Sequence, residues 1–163
     1  MIIKGFAHIF GNNINTDGII PARYCMTIDY KELASHCLED VDDNFRKNVL
    51  LNDIIVAGKN FGCGSSREVA PIAIKHAGVS CVIAESFARI FYRNSYNIGL
   101  PLIEIPDITK HIRYGDAVKV DFENNIIINL TLGETIKFTQ ETGILNEIVR
   151  AGGLLNYIKE TAQ

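Results

Sequence analysis

The chain has 163 residues and a mass of 18.1 kDa, a size that suits a single domain spanning residues 1–163. A formal charge of −3 and a pI near 5.8 give no basic surface of the kind that neutralises phosphates, so nucleic acid is not expected as a partner. The apolar runs are too short to span a bilayer and the first residues lack the features of a secretory signal, so the sequence predicts a cytoplasmic protein with no membrane partner.

The first third of the chain predicts an irregular arrangement. An apolar run over residues 2–10 predicts a strand, and the polar residues 11–18 predict a loop. Pro21 favours an extended chain through the residues just before it. Asp29 is placed to cap a helix over residues 30–38, and the acidic residues that follow lead into another short helical piece.

The middle of the chain alternates strands with helices. Strands are predicted at residues 53–57, 80–84 and 101–104, with helices between them at residues 65–76 and 87–97. Strands separated by helices of this length need crossover connections, so the pattern predicts an α/β fold with a parallel βαβ core.

The last part of the chain changes character. Alternating apolar residues predict an antiparallel strand pair over residues 117–122 and 126–130. A helix predicted over residues 141–151 is interrupted by Gly152 and Gly153, and a further short apolar segment closes the chain.

The most unusual stretch is residues 58–71, GKNFGCGSSREVAP. Ser65 and Glu68 have the spacing of a capping box at the start of a helix. That interpretation does not explain the glycines, which favour positive φ or close approach of a ligand, or Arg67, which the helix dipole disfavours in a first turn. Backbone N–H groups, hydroxyls and a guanidinium together suit a carboxylate. The residues alone therefore leave a helix cap and an anion pocket both open.

Nucleotide-binding motifs fit this stretch poorly. Gly62 and Gly64 follow a strand, but Arg67 takes the place of the third glycine of a dinucleotide fingerprint. A Walker loop needs a lysine before Ser65, and none is present. Cys63 has no base near it in the sequence, so a small residue in a tight turn is favoured over a nucleophile.

The four cysteines predict free thiols. Their spacing is wide and irregular, without a C-x-x-C pair or a histidine at cluster distance. The sequence therefore offers no ligand set for a metal and no disulfide framework.

Other polar residues have an ordinary interpretation when they are taken singly. The segment from Asn15 to Asp17 can form an Asx-type turn. Arg23 and Arg89 can be surface or ion-pair residues, and Ser86 can cap the helix that follows it.

Taken together, these segments resemble the small subunits of the 3-isopropylmalate dehydratase family, in the aconitase superfamily. The matching motifs are NTD, IIP and RY within residues 15–24, GKNFGCGSSRE at 58–68, SFARI at 86–90, GLP at 99–101 and AGGLLN at 151–156. Several motifs in the same order are more specific than any one of them. The resemblance implies a swivelling β/β/α domain that closes over a separate large subunit. That large subunit would carry a 4Fe–4S cluster, and this chain would bind no cofactor itself.

The resemblance also implies a reaction and a role for each motif. Members of the family isomerise a 2-hydroxy acid by dehydration and rehydration in leucine biosynthesis, with cluster iron acting as a Lewis acid on the departing hydroxyl. By position, Ser65 corresponds to the catalytic base and Arg67 to the residue that binds a substrate carboxylate, with Ser66 assisting. Asp17 and Arg23 correspond to a second active-site loop that orients or binds carboxylates.

Substrate choice in this family is attributed to the loop formed here by Tyr24, Cys25, Met26 and Thr27. Met26 cannot pair with a carboxylate but can pack against a branched alkyl group, which favours isopropylmalate over homocitrate-type substrates. Val69 departs from the family pattern, because histidine is common at this position and valine forms no side-chain hydrogen bond.

Two alternatives stay open at this point. One is the small subunit of a related hydratase acting on dimethylmalate, citramalate or homoaconitate. The other is a stand-alone module that binds carboxylates or nucleotides.

Overall fold

The structure, a computed structural model, describes residues 1–162. Its strands form one mixed sheet in the spatial order β4-β3-β2-β1-β5-β6-β7. The strands are β1 (Ile2–Phe10), β2 (Asp53–Ala57), β3 (Val79–Ala84), β4 (Leu102–Glu104), β5 (Ala117–Asp121), β6 (Ile126–Asn129) and β7 (Glu134–Lys137). The predicted α/β fold class is confirmed.

The helices lie between and after these strands. They are α1 (Thr16–Ile19), α2 (Tyr30–Ser35), α3 (Phe45–Asn48), α4 (Val69–His76), α5 (Arg89–Asn97), α6 (Ile144–Arg150) and α7 (Leu154–Thr161). Gly152 and Gly153, both with positive φ, separate α6 from α7, so the predicted break is confirmed. The cap predicted at Asp29 is also confirmed, since its side chain accepts a hydrogen bond from Lys31 N at 2.8 Å.

The prediction of a loop over residues 11–18 is wrong at its end. The side chain of Asn15 accepts a hydrogen bond from Gly18 N at 2.7 Å and caps the short helix α1. Ile19 is therefore helical, and the chain is extended at Ile20 before a 3-10 helix over Ala22–Tyr24.

The predicted parallel βαβ core is confirmed. β1, β2, β3 and β4 are mutually parallel, with α4 connecting β2 to β3 and α5 connecting β3 to β4. Every residue of β2 is buried. A parallel strand that is covered on both faces has no solvent side, which explains why its sequence is almost continuously apolar.

The antiparallel half has one strand more than the sequence predicted. β5, β6 and β7 form a meander of antiparallel neighbours. The predicted strand pair is confirmed as β5 and β6, but β7 was not predicted, because it lies at the sheet edge, where its residues alternate only between exposed and half-buried. Its sequence, ETIK, therefore lacks the run of buried apolar residues that marks a strand.

Strand β1 belongs to both halves of the sheet. Its first residues, from Ile2 to Phe6, pair with β5 in antiparallel register. Its later residues, from Ala7 to Phe10, pair with β2 in parallel register. The two halves are therefore joined through one strand.

The sheet separates two hydrophobic clusters. One packs α4 and α5 against the parallel strands and includes Ile55, Ile74 and Phe91. The other covers the opposite face and includes Ile54 and Val120. Within residues 1–162, no helix has the length and apolar character needed to cross a membrane.

Candidate active site

Two loops lie side by side at the carboxyl ends of β1 and β2. The loop after β1 meets the glycine-rich loop after β2 through a bridge between Asn15 and Cys63. Thr16 N donates to Cys63 O at 2.8 Å, and Gly62 N donates to Ile14 O at 2.7 Å. Parallel strands bring their carboxyl ends to one edge, so motifs that are far apart in sequence meet here.

The helix predicted from Ser65 starts later, and the predicted capping box is not formed. Helix α4 begins at Val69, and its N-cap Glu68 makes no side-chain cap hydrogen bond. Thr16 Oγ1 donates to Ser65 O at 2.7 Å, and Gly64 has φ +90°, so the chain before the helix is held in a different shape. The Ser65 carbonyl is thus engaged by another loop and does not accept a helical hydrogen bond.

This arrangement leaves a row of unpaired backbone donors. The N–H groups of residues 65–69 donate to no acceptor within residues 1–162. Consecutive N–H groups at a helix start are the usual protein setting for an anion. The anion-pocket interpretation of this stretch therefore agrees with the geometry better than the helix cap does.

Arg67 joins the glycine-rich loop to the loop after β1. Its Nη2 donates to Asp17 Oδ1 in an ion pair, and its Nη1 donates to Cys25 Sγ. Its side chain is 17% exposed, and its Nε is buried without a partner in the described residues. The structure thus brings together Arg67, Asp17 and Cys25, three residues that the sequence analysis assigned to the site.

A cavity of about 660 Å³ opens beside this arrangement. Ser65 and Arg67 line it from the glycine-rich loop, and residues 87–91 and Arg93 line it from the start of α5. Ser66 is exposed but does not line the cavity. Three guanidinium groups, and no carboxylate, contribute to the lining.

The arginines of α5 are site residues that sequence reasoning missed. Arg89 was interpreted as a surface or ion-pair residue, and Arg93 was not singled out. Both are exposed and both line the cavity. Their spacing of four residues on one helix places them on the same face, and this was the signal available in the sequence. The predicted Ser86 cap of α5 is wrong, because Ser86 Oγ instead accepts a hydrogen bond from Asn60 N at 2.9 Å.

Arg23 points to acidic neighbours instead of the cavity. Its guanidinium donates to Asp40 Oδ1 at 2.9 Å and to Glu39 Oε1 at 2.5 Å. The hydrogen bond from Arg23 lowers the pKa of Asp40. Burial opposes ionisation of Glu39, but hydrogen bonds from His36 and Arg23 outweigh it and lower the pKa of that carboxyl too. The ion-pair interpretation of Arg23 is the one that this structure matches.

The loop assigned to substrate choice is only partly directed towards the cavity. Tyr24 stacks on the His36 ring at 3.6 Å between centroids, and Thr27 Oγ1 donates to Glu32 Oε2 at 2.6 Å. Met26 is 93% exposed and does not line the cavity. Within this loop, Cys25 is linked to the cavity wall by the hydrogen bond that its Sγ accepts from Arg67.

Two glycines of the unusual stretch have clear structural requirements. A Cβ at Gly62 would lie 2.1 Å from the Phe91 ring, and the residue has φ +80°. A Cβ at Gly58 would lie 2.0 Å from Asn12 Oδ1. The expectation of positive φ is confirmed at Gly62, whereas at Gly58 the close approach is to a protein side chain and not to a ligand.

Val69 has a packing role. It is the first residue of α4, it is half-buried, and it packs against the hydrophobic cluster on the helix side of the sheet. An apolar side chain suits this position, because it buries surface at the helix start.

The donor set of the chain does not suit an iron–sulfur cluster. Cys37 and Cys81 are fully buried among apolar residues, and burial raises the pKa of the Cys37 thiol to about 12. Burial raises the pKa of Cys81 as well. Among residues 1–162, no group of at least three His, Cys, Asp or Glu side chains is placed to hold a metal ion.

The chain is similar to several known proteins. The aconitase C-terminal domain family matches residues 28–107. A 3-isopropylmalate dehydratase small subunit from Brachyspira hyodysenteriae is 55% identical over 161 residues, covering 99% of both chains. One from Caldicellulosiruptor bescii is 58% identical over 159 residues, covering 98% of this chain and 96% of the relative. A solved structure of 3-isopropylmalate dehydratase from Methanocaldococcus jannaschii is 52% identical, with a TM-score of 0.95 over 99% of this chain and 96% of that one.

Proposed function

Because the chain belongs to the family of 3-isopropylmalate dehydratase small subunits, we propose that it supplies the acid–base half of a hydro-lyase active site. The substrate is 2- or 3-isopropylmalate, and the reaction is their interconversion in leucine biosynthesis. One observation carries the proposal: Ser65 and Arg67 line the same cavity, beside a row of unpaired backbone N–H groups. Arg67 is held there by its ion pair with Asp17.

In the proposed reaction Ser65 is the base. Its Oγ takes the proton from the carbon next to a substrate carboxylate, and the electron pair of that C–H bond forms a C=C bond. The C–O bond to the hydroxyl on the neighbouring carbon breaks, which leaves an unsaturated dicarboxylate and a hydroxide. This hydroxide and the proton taken by Ser65 together make up the water that is lost. Addition of water in the opposite sense across the double bond gives the isomer.

A serine base requires strong local stabilisation of negative charge, because a hydroxyl is a very weak acid. The free N–H groups of residues 65–69 and the N-terminus of α4 supply partial positive charge at this point. Arg67 adds a full charge close to the same loop. These groups are fixed by the fold, so little reorganisation is needed when charge develops on Ser65.

Arg67 is proposed to bind a substrate carboxylate, and Asp17 to orient it. A guanidinium presents donors in a rigid fork, and Asp17 with Cys25 uses only part of that fork. Ser66 is proposed to assist through its backbone N–H group, which has no acceptor in the described residues.

Arg23 and the loop from Tyr24 to Thr27 are proposed to join the site only when the enzyme closes. Arg23 now pairs with Glu39 and Asp40, and Met26 is almost fully exposed. Closure on a partner would let Met26 contact the branched alkyl group of the substrate, which supports isopropylmalate as the substrate.

A large subunit is the proposed partner, and the whole chain is proposed to act as one swivelling domain. The cysteines of this chain are unsuited to hold a cluster, so the 4Fe–4S cluster is assigned to that large subunit, where it would supply a Lewis acid for the departing hydroxyl. The partly exposed thiols of Cys25 and Cys63 suit a reducing compartment, so the complex is assigned to the cytoplasm.

The test is anaerobic co-expression with a candidate large subunit, followed by measurement of unsaturated-acid formation. Isopropylmalate, citramalate, dimethylmalate and homocitrate are compared as substrates. We expect turnover of isopropylmalate, and a loss of roughly 10²- to 10⁴-fold in kcat for Ser65→Ala. Ser80→Ala is the matched control, because Ser80 hydrogen-bonds Asn52 and lies outside the cavity lining. No turnover of any of these acids, or full activity of Ser65→Ala, would contradict the proposal.

A further inference from the structure

Arg89 and Arg93 form an exposed pair of like charges one helical turn apart on α5. Both line the cavity beside Ser65, and neither side chain makes a hydrogen bond or an ion pair within residues 1–162. The chain as a whole carries a formal charge of −3, whereas this part of its surface is locally positive.

The pair is energetically unfavourable in the isolated chain. Like charges four residues apart on a helix repel each other, and the positive end of the helix dipole disfavours a cation at Arg89, the first residue of α5. Two acids near this end of the sheet are already engaged. Asp17 pairs with Arg67, and Glu104 Oε1 accepts a hydrogen bond from Phe87 N at 3.0 Å. Neither of these acids forms an ion pair with Arg89 or Arg93, so the charges of the two arginines are available to a negatively charged partner.

An apolar side chain lies between the two arginines. Ile90 is 50% exposed and also lines the cavity. Arginine together with exposed apolar side chains is the composition enriched at the centre of protein interfaces. A free anion would gain nothing from Ile90, whereas a protein segment would bury it.

The cavity is also larger than a small dicarboxylate requires. Cavities of roughly 300–1,000 Å³ hold drug-sized ligands, and this one measures about 660 Å³. A substrate held at Ser65 and Arg67 would fill one end and leave the wall formed by Arg89, Ile90 and Arg93 open.

We infer that this wall, the α5 docking surface, binds an acidic segment of the large subunit. The inference rests on the proposed function and names the place where the partner closes the site.

The test measures subunit affinity without substrate. The double variant Arg89→Gln/Arg93→Gln is titrated against the purified large subunit at ionic strengths from about 0.01 M to about 0.15 M. We expect a dissociation constant raised about tenfold or more at low salt, together with a weaker salt dependence, because charged contacts across an interface are screened by salt. Ile90→Ser should weaken binding without changing the salt dependence. Arg113→Gln is the control, since Arg113 is exposed and outside the cavity lining.

Several results would overturn the inference. One is wild-type affinity and salt dependence in the double variant. Another is unchanged subunit affinity with a raised KM, which would assign the arginines to the substrate. Thermal unfolding of the free variants checks that they are folded. If the double variant is not folded, the single variant Arg93→Gln is used in its place. A wild-type complex that forms but does not convert isopropylmalate would contradict the proposed function and leave the docking surface intact.

Discussion

Arg67 and Asp17 form an ion pair that joins two loops separated by fifty residues in the sequence. Arg67 is mostly buried and Asp17 is mostly exposed, so the carboxylate holds the guanidinium from its solvent side. A planar guanidinium that is held in this way keeps its remaining donors aimed in one direction. The pair therefore fixes the geometry of the cavity wall before any substrate arrives.

Asp17→Asn should reduce kcat/KM by about 10- to 100-fold, because loss of the charge allows Arg67 to shift and small misplacements of binding groups are costly. The measurement is steady-state kinetics of the assembled enzyme. Asp17→Glu should recover part of the activity, since the charge is retained. Asp43→Asn is the control, because the Asp43 carboxylate accepts a hydrogen bond from Asn44 and lies outside the cavity lining. Equal activity of Asp17→Asn and wild type would contradict the proposal that Asp17 positions Arg67.

Met26→Arg should shift substrate preference towards acids with an additional carboxylate. An arginine at this exposed position can pair with a carboxylate that methionine cannot bind. The measured quantity is the ratio of kcat/KM for homocitrate to that for isopropylmalate, which should rise. If the preference for the apolar substrate stays unchanged, Met26 does not contact the substrate.

Asp121→Asn should destabilise the fold near neutral pH and have no effect in strong acid. The Asp121 carboxylate accepts hydrogen bonds from the side chain and backbone of Asn124 and from Glu123 N, and these bonds lower its pKa to about 2. A group whose pKa is lower in the folded state contributes stability above its unfolded pKa, near 3.8, and loses it as pH falls towards 2.

Urea unfolding of both proteins across this pH range is the measurement. The difference in unfolding free energy should be constant above pH 4 to 5 and should vanish towards about pH 2. A pH-independent difference would mean that the charge of Asp121 is not involved.

Gly62→Ala should destabilise the protein more than Gly133→Ala. Both glycines have positive φ, which costs about 1–2 kcal/mol for a residue with a Cβ. At Gly62 the Cβ would also meet the Phe91 ring at 2.1 Å, and overpacking adds about 1–3 kcal/mol, whereas Gly133 has open space around it. Chemical denaturation gives the loss of unfolding free energy for each variant, and the difference between the two losses is the cost of the contact with Phe91. Equal destabilisation would show that the Phe91 contact relaxes freely.

Local signals in the sequence predicted the parallel core well. The buried run of β2, the cap at Asp29 and the break at Gly152 each depend on neighbouring residues, and each is confirmed. The start of α4 could not be predicted in the same way, because the hydrogen bond from Thr16 to the Ser65 carbonyl joins residues far apart in the sequence.

The pair formed by His8 and Asp53 is a second contact between distant residues that local sequence signals could not predict. No local pattern in the sequence singles out His8, yet its Nε2 lies 2.8 Å from Asp53 Oδ2 in a buried setting. Asp53 also accepts hydrogen bonds from Phe6 N and Leu50 N, which satisfy a carboxylate inside an apolar strand. Only the parallel register of β1 with β2 brings these groups together.

The shared strand β1 has a consequence for how the chain folds. β1 is synthesised before the other strands of the sheet, but its pairing partners Asp121 and Val120 of β5 lie more than a hundred residues further along the chain. Contacts of such long sequence separation close large loops and slow the folding of two-state proteins. Until β5 arrives, one edge of β1 offers unpaired N–H and C=O groups to other chains. Slow folding and association of incomplete chains are therefore expected to be the main obstacles to producing this subunit without its partner.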